Sequence, residues 1–192
     1  MIRSTWIRSL VRYDISICGI PELPLFCEAG VSDVLSIIDP PSPEPEAFAG
    51  FAPHRRRTLR FDDLLFEAPG SMAPSEADVQ AILAFGAALE SQGDTAHVLV
   101  HCHAGVSRSS AAAALLMAQH NPGREEDAFM ALLELRPQAW PNTRMVELAD
   151  TLLERQGALA AALAAYRRAL LRVRPHLTEM VIGVGRSHEL PE

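Results

Sequence analysis

Three shortages narrow this chain before any motif is read. Its apolar residues make up 48% of 192, yet they never form a run approaching the roughly 20 needed to cross a bilayer, so no membrane span is expected. Aromatic residues amount to only 6%, and 17 basic residues stand against 24 acidic ones for a formal charge of -7. A broad cationic, aromatic face of the kind that binds nucleic acid is therefore missing. The three cysteines, Cys18, Cys27 and Cys102, are few and odd in number, which argues against a disulfide framework and for a reducing, cytoplasmic setting. Arg3, Arg8 and Arg12 stand where an export signal would carry charge, but Asp14, Pro21, Glu22 and Pro24 break the stretch that would have to be apolar. Zinc-ligand spacing and a nucleotide-binding glycine pattern are also missing; Gly183-Val184-Gly185 lacks the third glycine and the following helix. No cofactor or metal is expected.

What is present suffices for one core rather than two. Residues 13–20 and 31–38 are short runs rich in Ile and Val, each stopped by Pro or Gly, and predict buried strands with a short helix between them at 22–29. Five prolines in 39–53 predict an irregular exposed loop. Residues 58–63 read as a strand ending in Asp62 and Asp63, entered from the Arg55-Arg56-Arg57 run, which reads as a solvated cluster protecting a sheet edge. After a loop over 64–74, Ser75 with Asp78 forms a capping signal for a helix reaching about Gln92, although Gly86 falls on its apolar stripe. A strand over 96–101 runs into Cys102, and an Ala-rich helix starts at Ser109. Helices are predicted at 124–135, 142–155 and 158–174, the first two parted by a break over 137–141. Strands alternating with helices, then a helical run, predict an α/β fold: a central, mostly parallel sheet flanked by helices on both sides. One domain is expected over 1–175, with 176–192 a mobile tail.

The chemistry concentrates in His101-Cys102-His103-Ala104-Gly105-Val106-Ser107-Arg108-Ser109. Five residues between Cys102 and Arg108 can curl the backbone into a ring of N–H groups, with Gly105 taking a conformation other residues avoid. The helix that begins at the end of the loop adds the positive end of its dipole. Such a ring binds a dianionic phosphoryl group through His103, Ala104, Gly105, Val106, Ser107 and Arg108, and the same N–H groups favour the thiolate of Cys102. Arg108 is a planar two-pronged donor that a lysine could not replace. Ser109 can donate to the sulfur when it leaves, and His101 can brace the loop through its ring nitrogens.

This nonapeptide resembles the signature of the cysteine-based protein tyrosine phosphatases, His-Cys-x5-Arg-Ser/Thr, in the variant of the dual-specificity branch. Arg136-Pro137 with Pro141-Asn142 is similar to a segment downstream of the loop in that branch, where the Asn helps hold it, so the likeness runs over roughly residues 13 to 155. It implies two-step hydrolysis of a phosphomonoester through a phosphocysteine, with a phosphorylated protein, phosphotyrosine first, as substrate and partner. It also implies an Asp general acid just after a strand upstream of the Cys. Asp62 and Asp63 lie 40 and 39 residues before Cys102. Asp63 is preferred because alternation places it on the face of Leu59 and Phe61, and because Phe-x-Asp-Leu followed by Gly70 and Pro74 resembles bacterial members of the superfamily; Asp62 is the alternative.

Two other functions fit the same residues: a phosphoinositide or small-phosphoester phosphatase, which the lack of lysine in the loop disfavours, and a phosphate-binding module without catalysis. A sulfurtransferase would not need Arg108. Cys18 and Cys27 are expected to be buried small side chains rather than redox partners of Cys102, and Trp140 to be core or lid packing.

Overall fold

The computed structural model describes residues 6–90 and 96–191. Among these residues four strands, β1 (Asp14–Gly19), β2 (Asp33–Ile38), β3 (Arg55–Arg60) and β4 (His97–Cys102), form one sheet in the order β1-β4-β2-β3, with every pairing parallel. All residues of β2, and all but the first of β4, are buried, which is why both read as continuous apolar runs rather than alternating ones. Gly19 pairs with Cys102, and Ile38 with Arg60, so the strands end together. The loops that follow them meet at one edge of the sheet, where open α/β sheets place their ligands.

Among the described residues seven α-helices follow β3 and β4: α1 (Glu76–Glu90), α2 (Arg108–Ala118), α3 (Glu125–Met130), α4 (Leu132–Leu135), α5 (Thr143–Leu152), α6 (Ala158–Val173) and α7 (Leu177–Gly183). All contribute to the core on the face carrying Ile15, Ile17, Leu35, Ile37, Leu59, Phe61, Val98, Val100 and Cys102. Helices cover both faces of the sheet, but the two faces differ in kind. The other face, with Cys18, Val34 and Leu99, is covered by Leu23 and Phe48 from two 3-10 helices, Ile20–Phe26 and Glu46–Gly50. Every residue of α2 is buried, and its run Ala111–Ala114 lets sheet and helices approach it closely from several sides.

Several element boundaries differ from the sequence reading for identifiable reasons. The proline-rich stretch is not wholly irregular: after the extended Pro45, residues 46–50 contain no proline and turn into a 3-10 helix that buries Phe48. β3 begins at Arg55 rather than at 58 and ends before Asp62, because Arg55 pairs with Asp33 of β2 at 2.8 and 2.9 Å. It is an edge strand, as the arginine run suggested. The helix expected at 124–135 is split at Ala131. Ser75 and Asp78 make the capping exchange at the start of α1; its expected end at Gln92 lies outside the described residues.

The largest correction concerns the end of the chain. Residues 177–191, expected to be a mobile tail, form α7 and a 3-10 turn at Ser187–Glu189 and pack against the rest. Gly185 (φ 76°) reverses the backbone after α7, with its amide on Ile182 O and that of Arg186 on Val181 O, the two bonds of a Schellman cap. Leu177 and Val181 join the core. Glu189 is buried and accepts from Arg167 at 2.6 Å, from Trp140 Nε1 at 2.9 Å and from Thr143.

Leu99 lies at the middle of β4 with no exposed surface, and Leu99→Ala should cost ~3 kcal/mol of unfolding free energy, read as a lower urea midpoint with an unchanged slope.

Candidate active site

The strand β4 delivers Cys102 to the sheet edge, and α2 begins six residues later with Arg108. Between them every carbonyl oxygen is held by a donor from outside the loop or from the helix behind it. His103 O accepts from Ile20 N at 3.0 Å, while Ala104 O and Gly105 O accept from Arg136 Nη2 and Nε, each at 3.0 Å. Val106 O accepts from Trp140 N at 2.8 Å, and Ser107 O from Ala111 N at 3.0 Å and Asn142 N at 3.3 Å. A carbonyl and the amide that follows it point opposite ways across the peptide plane, so the N–H groups of 104–107 face away from these donors, and among the described residues they donate to no backbone acceptor. Such a row of amides is the kind of nest that can receive an anion. Gly105 has φ 69°, and a Cβ there would lie 2.5 Å from Cys18 C, so β1 could not approach the loop with any other residue in this place.

The sulfur of Cys102 is 3.2 Å from Ser109 Oγ. Arg108, only 3% exposed, donates from Nη1 to Asp39 Oδ1 and to Phe61 O, each at 2.6 Å, whereas its buried Nε has no partner. One end of the guanidinium is thus anchored and the other edge is left to bind, which suits two oxygens of a phosphoryl group. Asp39, at the end of β2, also meets His103 Nδ1 at 3.0 Å; His103 stands half-buried at the rim with Nε2 3.3 Å from Ser42 Oγ. Sequence reasoning missed Asp39. It sits in the proline-rich stretch read as a plain loop, and no spacing to Cys102 marks it.

Asp63 lies against the 103–107 loop. Its Oδ1 accepts from Ser107 Oγ at 2.7 Å, Asn142 Nδ2 at 2.8 Å and Arg186 Nη2 at 2.8 Å. Burial pushes its pKa up, but the charge of Arg186 and the three hydrogen bonds outweigh burial and hold the carboxyl below the usual range. Asp62 turns the other way: its backbone and Oδ2 bond Met72, closing the 62–72 turn. Asn142 unites three tasks, capping α5 through Met145 N, holding Asp63 and holding Ser107. Arg136, besides its two loop carbonyls, makes a two-pronged pair with Glu22 at 2.8 and 2.7 Å; Glu22 in turn accepts from Gly19 N.

One expectation meets a different geometry. His101 points to the face opposite Cys102, its ring 5.4 Å from that of Phe48, and neither ring nitrogen has a hydrogen-bond partner. It does not brace the loop through its nitrogens. Burial lowers its pKa from 6.5 to about 4, with the Cys102 backbone opposing that shift, so the ring is neutral at pH 7. Cys18 belongs to the core of that same opposite face, with its thiol pushed up to about 12 by burial and by the charge of Glu22. Among the described residues no group of His, Cys, Asp and Glu could hold a metal ion, and no helix is long and apolar enough to cross a membrane.

Because His101 must stay neutral when folded, it favours the fold fully above pH 6.5 and loses that contribution as pH falls through 6.5 toward about 4. The wild-type protein should lose up to ~3 kcal/mol of stability over that interval, and His101→Leu should flatten the pH dependence of the urea midpoint there.

No family model matches the sequence, nor does any curated protein; the likeness is to solved structures. The Cydia pomonella PTP-2 phosphatase superposes with a TM-score of 0.57 at 21% identity, over 72% of this chain and 84% of its own. Human DUSP28 gives 0.53 at 19%, over 75% and 94%, and PTPMT1 0.52 at 20%, over 79% and 96%. With its all-parallel sheet, helical face and cysteine loop at the edge of β4, this chain has the dual-specificity protein tyrosine phosphatase fold.

Proposed function

We propose that the protein hydrolyses phosphomonoesters in two steps without a cofactor, and that its substrate is a phosphorylated protein, phosphotyrosine first. The reading is carried by one arrangement: a thiol at the mouth of a loop whose carbonyls are all tied outward, beside a buried arginine with one end anchored and one edge unused. In the first step the Cys102 sulfur attacks phosphorus, the ester P–O bond breaks, and the leaving oxygen takes a proton. In the second, water attacks the phosphocysteine, the P–S bond breaks, and Ser109 donates to the departing thiolate. The loop amides and Arg108 bind the equatorial oxygens throughout.

Asp63 is the proton donor, returning as a carboxylate to activate water. It touches the loop through Ser107, whereas Asp62 is engaged with Met72. A dianionic phosphoryl group in the loop would raise the proton affinity of Asp63, which supplies the protonated form for the first step. Asp39 and Phe61 O position Arg108.

The lipid alternative draws on the likeness to PTPMT1, which has been solved with PI(5)P. Against it stands the loop, whose side chains offer no cation beyond Arg108 and His103 to meet extra phosphates.

Cys102→Ser should abolish hydrolysis of p-nitrophenyl phosphate while the folded protein still binds phosphate; retained hydrolysis would refute the nucleophile, and a wild-type protein that binds phosphate without turnover would make this a binding module. On phenyl phosphate, whose leaving group needs a proton, Asp63→Asn should lower kcat roughly 100-fold or more and Asp62→Asn less than tenfold. Phosphopeptides should be turned over faster than inositol lipids.

A further inference from the structure

The final turn of the chain lies outside every motif read from the sequence, yet it reaches the site. Arg186 donates from Nη1 to Ser107 Oγ at 2.8 Å, and from Nη2 to Asp63 O at 3.0 Å and to Asp63 Oδ1 at 2.8 Å. One guanidinium therefore bonds both the last residue of the phosphate loop before Arg108 and the residue read as proton donor. Arg186 is itself well held: it follows the Gly185 cap of α7, and three residues on, Glu189 is locked by Arg167 and Trp140. Trp140 carries that anchoring back to the loop, since its own amide holds Val106 O.

We infer that Arg186 is a positioning residue that clamps Asp63 to the phosphate loop and sets the charge state from which Asp63 works. This rests on the reading of Asp63 as proton donor. The groups facing the carboxyl are few: Ser107 from the loop and Asn142 from α5 are neutral, and the charge acting on it is that of Arg186 from the terminal segment. Glu189, 3.9 Å from Arg186 Nε, offsets that charge only in part because it is already paired with Arg167. An ion pair at this distance stabilises the carboxylate, so Asp63 gives up its proton at lower pH than it would alone. Since a proton donor is useful only while protonated, Arg186 moves the basic limit of activity downward and, in exchange, keeps the carboxylate ready to activate water in the second step. Neither α7 nor the turn after it itself supplies a donor to the loop carbonyls, so the hold on Asp63 is a separate function of the terminal segment.

The test uses the full chain and phenyl phosphate over a pH series. Arg186→Ala should move the basic limb of the kcat profile upward by roughly one pH unit, and should lower kcat several-fold at the wild-type optimum through loss of the clamp. Arg186→Lys should return the limb close to its wild-type position. Arg186→Gln, which keeps hydrogen-bond donors and loses the charge, should shift the limb as Ala does, and it serves should the Ala variant fail to fold. Vanadate binding, which reads Cys102 and Arg108, should change less than threefold. An unshifted limb in a folded Gln or Ala variant overturns the inference, as does a shift that Lys fails to reverse. If instead Asp63→Asn leaves the basic limb of the wild type in place, it is the proton-donor assignment that has failed.

Discussion

Backbone carbonyls are obligatory acceptors, and a loop can turn its amides inward only if those carbonyls find donors on the outside. The site depends on that constraint. From His103 to Ser107 five oxygens are satisfied by Ile20, Arg136, Trp140, Asn142 and the first turn of α2. The donors come from the segment after β1, from the stretch between α4 and α5 and from α2 itself, so the nest cannot form until these pieces are packed together. In return it presents several N–H groups and a helix N-terminus to a single anion, a concentration of positive potential that no single side chain supplies.

Fixed positive side-chain charge in this chain is carried entirely by guanidinium groups; the sequence contains no lysine. That choice suits the way the cations are used. Arg108 anchors one nitrogen and keeps an edge free, Arg136 serves two carbonyls and a carboxylate at once, and Arg186 ties two loops. Each needs a planar fork with several donors in fixed directions, and an ammonium would satisfy only part of each set. Burying the Arg167–Glu189 pair costs desolvation that their attraction does not clearly exceed. What that pair contributes is placement, because it fixes the turn from which Arg186 projects.

Cys102, Arg108, Ser109 and the nest residues were legible from the sequence because they are neighbours along the chain; a strand, five residues and a helix leave the backbone little choice. The same locality made the parallel sheet and the Ala-rich helix readable. Asn142 was legible only through a resemblance, and its threefold use of one amide side chain and one backbone N–H became visible in the fold. His101 misled, because adjacency to a nucleophile does not reveal that strand alternation turns its ring to the opposite face, against Phe48. The arginine run at 55–57 was correctly read as an edge but not as part of the strand, since its place in β3 depends on Asp33 across the ladder.

By itself, the order of residues determined an α/β fold and a tight cysteine loop between a strand and a helix, because both follow from periodicity and from short-range backbone sterics. The tertiary structure decided which groups surround that loop. Asp39 lies 69 residues from Arg108, Asp63 lies 44 from Ser107, and Arg186 lies 123 from Asp63. Contacts at such separations leave no periodic trace, since they depend on where the sheet edge and the helical core bring distant turns together, and only folding creates that proximity.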